Sequence, residues 1–211
     1  MTLNDQLQQC ADAAKRANPE FAAAIDRLVA RLRDSGAGES APQLGEPMPS
    51  FHLPDENGRI VSLDRLLDQG PVAVTFHRGH WCSYCRISID ALSAVHEQVA
   101  AVGGQIVAVT PDRRQYVSKW KSAGQVPFPI LTDTDNGYAL SLNLVIWIGV
   151  ELRRMMMSAH DIATVESADR WLLPIPATFV VAEDGLIKAR FVDPDFRRRM
   201  TIEELIAALS G

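Results

Sequence analysis

Two cysteines three residues apart, Cys82 and Cys85 in Trp81-Cys82-Ser83-Tyr84-Cys85-Arg86, are the side chains of this 211-residue chain best suited to chemistry. A thiol is mostly protonated near neutral pH, and only its thiolate attacks a peroxide or a disulfide. The first turn of a helix offers unpaired N–H groups and the positive end of the macrodipole, so an anion is stabilised there. Residues three apart share a helix face, so once one sulfur is oxidised its neighbour can condense with it into a disulfide. A bridge over so short a loop constrains the unfolded chain little, which makes it a redox device rather than a staple. Arg78, and His80 when protonated, add positive charge nearby. The alternatives are two ordinary core thiols, half of a zinc or copper site completed by His77 or His80, and Arg78 and His80 as solvated loop residues.

The elements that must position this pair are legible around it. Pro71–Phe76 is a short apolar, β-branched run after Gly70 and reads as a buried strand. Beyond the cysteines, Ile87, Leu92 and Val95 fall near helical spacing, and Gln105–Thr110 reads as a second buried strand. Strand, helix, strand makes a βαβ unit with a parallel pair, and Arg113–Ala123 forms the next helix. Upstream, Asn18-Pro19 is an N-cap followed by proline at the first helical position, and Phe21, Ile25, Leu28, Val29 and Leu32 form one apolar stripe, closed by Gly36 and Gly38. This helical appendage is expected to pack on its own domain, with Cys10 as an incidental helix residue. Ser35–Pro49 reads as a linker.

Phe51–Asp55 and Arg59–Leu63 flank Glu56-Asn57-Gly58 as a hairpin, and Leu63–Leu67 suggests a short helix. Residues 138–172 are expected to hold two helices with Ser158–Ser167 between or within them; Met155–Met157, Trp147 and Trp171 there read as core filler or a subunit contact. Leu173–Val181 and Leu186–Val192, joined through Asp184-Gly185, form an antiparallel hairpin in the main sheet. Thr201 and Glu204 make a capping box for a last helix that turns Ile202, Leu205, Ile206 and Leu209 to the core.

Hydrophobic residues make up 47% of the chain and charged residues 22%, with a net charge of −5, which is ordinary for a globular protein and excludes a general nucleic-acid binder. No basic region followed by an apolar one opens the chain, and the longest apolar stretch, Leu142–Val150, is too short to span a bilayer. Three cysteines are too few for a disulfide scaffold. The expectation is a cytoplasmic protein without a cofactor or membrane partner, divided into an N-terminal helical extension and linker (1–43) and an α/β domain (44–211) with a helical insertion around 138–172.

Three stretches together carry a family resemblance: Leu44-Gly45-Glu46-Pro47-Met48-Pro49-Ser50-Phe51-His52-Leu53-Pro54, Phe76-His77-Arg78-Gly79-His80-Trp81-Cys82-Ser83-Tyr84-Cys85, and Leu173-Pro174-Ile175-Pro176-Ala177-Thr178-Phe179. They resemble the alkyl hydroperoxide reductase/thiol-specific antioxidant group of peroxiredoxin-like proteins, which have a thioredoxin-like fold, a mixed central sheet flanked by helices. The resemblance implies a cis peptide before Pro176, with the Ile175 and Ala177 backbone against the sulfurs. It also implies a thiol peroxidase acting on hydrogen peroxide or organic hydroperoxides, recharged by a thioredoxin-type reductant, with a homodimer as one assembly. The family's attacking cysteine ends a P-x-x-x-T-x-x-C pattern, which puts Cys85 in the attacking slot, Cys82 in the threonine slot and Arg78 in the proline slot. The arginine that usually helps bind peroxide would fall at Pro176 and is missing. Thioredoxin-like reductases attack with the first cysteine instead, here Cys82, so a thiol–disulfide oxidoreductase is the alternative function and a Cys/His metal-handling module a further one. Cys82, Cys85, Arg78 and Pro176 are the site residues expected on these grounds.

Overall fold

The computed structural model of the chain describes residues 1–159 and 171–211. Helices α1 (Leu3–Ala17) and α2 (Pro19–Asp34) precede a hairpin of β1 (His52–Pro54) and β2 (Ile60–Ser62) and a short α3 (Leu63–Leu67). Then come β3 (Val72–Phe76), α4 (Ser83–Ala94), α5 (His96–Ala101), β4 (Gln105–Thr110), α6 (Arg114–Gly124) and β5 (Ile130–Thr132). A 3-10 turn at Thr134–Asn136 leads to α7 (Gly137–Ser141), β6 (Val145–Trp147) and α8 (Val150–Ala159), and the order closes with β7 (Leu172–Pro174), β8 (Ala177–Val181), β9 (Ile187–Val192) and α9 (Ile202–Ser210).

The central sheet runs β5-β4-β3-β8-β9. Strands β3, β4 and β5 are mutually parallel, and β8 and β9 join in antiparallel sense, with Val74 opposite both Val107 and Phe179. Every residue of β3 and β8 is buried, which explains why both read as continuous apolar runs: helices cover each face. The βαβ unit, the Asn57-Gly58 hairpin and the Thr201–Glu204 capping box form as expected, and the late antiparallel arm joins the main sheet only from Ala177, Leu172–Pro174 being the separate strand β7. Asn18 Oδ1 accepts a bond from Phe21 N at 3.0 Å and starts α2, whose Ile25, Leu28, Val29 and Leu32 are buried. Helix α1 packs on α2 and α4, and α2 on α8, so the two N-terminal helices lie against the domain. Among the described residues no helix is long and apolar enough to cross a membrane.

The structure adds to or departs from the sequence-based expectation at three places. Strand β5 was invisible because Ile130–Thr132 is too short to display a period; it gains its status by pairing with β4. From residue 138 on, the described residues do hold two helices, α7 and α8, but the short strand β6 stands between them and pairs antiparallel with β7. Asn143 (φ +56°) and Gly149 (φ +89°) hold left-handed backbone on either side of β6 and prevent one continuous helix. Within it Met156 and Trp171 are buried and Trp147 is exposed, whereas most of Ser158–Ser167 lies outside the described residues. Finally, no described peptide bond is cis, so Ile175–Pro176 is trans. The chain runs extended from β7 into β8 there, with Ile175 N donating to Leu144 O at 2.6 Å and Ala177 pairing with Val192, and a trans bond suits that straight passage.

Candidate active site

Strand β3 ends at Phe76 and hands the chain to a six-residue loop, His77–Cys82, that delivers the sulfurs to α4. Cys82 is the N-cap, with extended backbone (φ −85°, ψ 114°), and its carbonyl accepts from Cys85 N and Arg86 N, each at 3.0 Å. Cys85 falls in the first turn. The loop is held from the neighbouring β4 end by Asp112, whose carboxylate accepts His80 N at 2.6 Å and lies 3.1 Å from His80 Nδ1. Gly79 at φ +140° completes the turn; a Cβ there would come within 2.5 Å of Trp81 Nε1 and 2.9 Å of Asp112 Oδ1.

Both sulfurs are enclosed: Cys82 is 4% exposed and Cys85 0%. They are free thiols, as is the half-buried Cys10. The Cys85 thiol donates a hydrogen bond to Cys82 and brings the Cys82 pKa down to about 6, aided by the Arg78 charge, the Cys85 N–H and Arg199, against the opposing effect of burial. Cys85 moves the other way, well up, through burial, through its donation to Cys82 and through the negative charge there. The two shifts run in opposite directions, so of the pair Cys82 is the thiol more easily ionised.

Arg78 is no solvated loop residue. It is 6% exposed, its guanidinium lies 3.9 Å over the Phe196 ring and 5.1 Å from Trp81, and its backbone N–H donates to Cys85 Sγ at 3.3 Å. A second buried arginine, Arg199 (5% exposed), reaches Cys85 from the segment between β9 and α9, with Nη2 3.7 Å from Sγ. Nothing in the cysteine motif points to it; the Arg197-Arg198-Arg199 run was its visible trace. Pro176 is buried at the head of β8, and the cis geometry expected to set its neighbours against the sulfurs is absent.

The histidines serve the scaffold. His77 is buried with Nε2 2.9 Å from Thr75 Oγ1, and burial holds its pKa down to about 3; His80 stacks on Tyr116 with ring centroids 4.9 Å apart. Among the described residues no group of three or more His, Cys, Asp or Glu side chains is placed to hold a metal ion. Cys10 faces α4 on the α1 stripe, its thiol pKa pushed up by burial and by the negative charge at Cys82. Between α1, α2 and residues 191–204 lies a cavity of about 680 Å³, walled by Leu7, Phe21, Ile25 and Phe191, with Tyr84 and Arg199 on the side toward the dithiol.

A βαβ unit that presents two thiols at a helix N-terminus, inside a mixed sheet closed by an antiparallel arm, defines a thioredoxin-like thiol protein. The chain belongs to the AhpC/TSA family, whose model matches residues 44–190. It is 27% identical over 92 residues to the chloroplastic peroxiredoxin Q of Oryza sativa subsp. japonica, a match covering 44% of this chain and 42% of that one. The chain therefore spans less than half the length of the curated relatives it matches. Its fold is similar to that of the peroxidoxin BcpB from Mycobacterium tuberculosis (TM-score 0.62, 19% identity, 79% of this chain and 96% of that one). It is likewise similar to peroxiredoxin 6 of Arenicola marina (TM-score 0.63, 16% identity, 80% and 72%). Helices α1 and α2 and the Phe196–Arg199 segment fall outside the matched residues.

Proposed function

We propose that this protein is a thiol-dependent peroxidase that reduces hydrogen peroxide or an organic hydroperoxide through a Cys82–Cys85 dithiol/disulfide cycle, recharged by a thioredoxin-type dithiol. Family membership supports a peroxide as oxidant. The observation that carries the cycle is the placement of two free, enclosed thiols at the N-cap and first turn of α4, where the Cys85 thiol and Arg78 lower the Cys82 pKa. The Cys82 thiolate attacks the distal peroxide oxygen; an S–O bond forms, the O–O bond breaks, and the alcohol or water leaves with a proton. Cys85 then attacks the sulfenic sulfur, the S–S bond forms and water departs. A donor dithiol returns two electrons by exchange.

A second reading, a thiol–disulfide oxidoreductase acting on protein or small disulfides, is favoured by Cys82 standing in the family's threonine slot and Pro176 in its arginine slot. Single substitutions separate the two. Cys82→Ser should abolish peroxide consumption, and Cys85→Ser should give one turnover and stop with sulfenic acid on Cys82. Peroxide turnover no faster than that of free cysteine, together with rapid insulin or glutathione-disulfide reduction, would select the second reading.

A further inference from the structure

Two buried guanidiniums serve the sulfur pair, and the one that reaches Cys85 Sγ belongs to Arg199. Arg199 Nη2 lies 3.7 Å from Cys85 Sγ, while its Nη1 is fixed by the carbonyls of Phe196 and Arg198, each at 2.6 Å. Its Nε is buried without a hydrogen-bond partner, and among the described residues no carboxylate pairs with it, whereas the neighbouring Arg197 is paired to Asp26 and Asp195 and Arg198 to Asp193. A buried guanidinium without a carboxylate has its charge left to be met by something else. Here the group it touches is a thiol.

We infer that Arg199 is a catalytic residue of the second step: it stabilises the Cys85 thiolate that attacks oxidised Cys82, and so sets the rate of disulfide formation. The inference rests on the peroxidase reading above, with Cys82 as the attacking thiol. In the reduced protein Cys85 has no reason to ionise, since it is enclosed and donates its proton toward an anionic Cys82. Oxidation of Cys82 to the uncharged sulfenic acid removes that negative charge and the bond to it, two of the three influences that hold the Cys85 proton in place. Burial still opposes ionisation, and against it stand the two groups at Sγ that favour the thiolate, the Arg199 guanidinium and the Arg78 N–H at 3.3 Å. Cys85 loses its proton, its sulfur forms the S–S bond, and the sulfenic oxygen leaves as hydroxide that takes up a proton to become water. The first oxidation thereby switches on the second nucleophile. Arg199 comes from beyond residue 190, where the family match ends, so this chain supplies the group from its own C-terminal segment.

The test is single-turnover oxidation of the full reduced chain by hydrogen peroxide, following sulfenic acid by dimedone trapping and disulfide by intact mass. Losing an adjacent cation raises a thiol pKa by one to three units, and nucleophilicity recovers about half of that, so Arg199→Met should slow disulfide formation by roughly three- to thirtyfold. Sulfenic acid formation should slow less, because Arg199 is the smallest of the influences on Cys82. Cys82 sulfenic acid should then accumulate, the disulfide rate should climb back as pH is raised, and Arg199→Lys, which keeps the charge and guards against a misfolded variant, should retain most of the rate. Equal slowing of both steps, slowing of neither, or a defect that pH does not repair would overturn the role of Arg199. Sulfenic acid trapped on Cys85 in the unsubstituted protein would instead overturn the assignment of the attacking thiol.

Discussion

At the scale of single residues, the site is an exercise in placing charge where water has been removed. Arg78 and Arg199 are costly to bury, and the Phe196 and Trp81 rings offset part of that cost for Arg78 as two backbone carbonyls do for Arg199. The Cys82 pKa falls from an ordinary 9.0 to about 6 in the folded protein. A depressed acid pKa stabilises the folded state above the ordinary value, and that contribution drains away as pH falls from 9.0 toward 6. Reactivity follows the same curve: iodoacetamide labelling of Cys82 should be half-maximal near pH 6, not near 9. Arg78→Met should move that midpoint upward by roughly one unit. A labelling midpoint unmoved from that of free cysteine would remove Cys82 as the attacking group.

At the scale of elements, the loop between β3 and α4 does what neither element can do alone. It must turn sharply, keep Cys82 at the N-cap and leave its N–H groups satisfied, and Asp112 on the adjacent β4 end ties it through His80. Gly79 is the position that cannot carry a side chain, both for its φ of +140° and for the space Trp81 and Asp112 already fill. Gly79→Ala is expected to disturb the loop and lower Cys82 reactivity while leaving distant elements intact, checked by labelling rate alongside circular dichroism. The C-terminal helix supplies a test of capping. Thr201 Oγ1 accepts Glu204 N at 3.1 Å, and Thr201→Ala should cost about 1 kcal/mol in urea unfolding.

At the scale of the whole molecule, α1, which lies outside the matched family segment, packs on α4, the helix that begins at the dithiol. Leu7 is 2% exposed on α1 and packs toward α4. Leu7→Ala should destabilise the protein by about 2–4 kcal/mol and speed alkylation of Cys82, because loosening the cover admits reagent. Unchanged labelling in that variant would mean the cover does not gate access. The core also carries an acid liability. His77 stays neutral in the fold down to about pH 3 while its ordinary value is 6.5, so the unfolded chain binds a proton that the native state refuses. Stability is therefore lost as pH falls from 6.5 toward 3, and His77→Gln should flatten that loss in urea midpoints measured across the range.

Local signals were sufficient wherever local physics decides. Asn18-Pro19, Asn57-Gly58, the Thr201–Glu204 box and the unbroken apolar runs of β3 and β4 announce their structures because caps, turns and burial act within a few residues. The dithiol at a helix start was legible for the same reason. Strands β5, β6 and β7 were not, since three-residue segments have no period and exist only through partners elsewhere in the chain. The trans bond before Pro176 depends on Leu144 and Val192, which flank it in space and not in sequence. Which cysteine ionises was open from the sequence alone, where helix electrostatics and the family register disagreed. The fold adds what the sequence lacks: it encloses both sulfurs, lowers the Cys82 pKa while raising that of Cys85, and brings Arg199 across 114 residues to Cys85. Charge in a buried site is set by what surrounds it in three dimensions, and spacing along the chain does not contain that information.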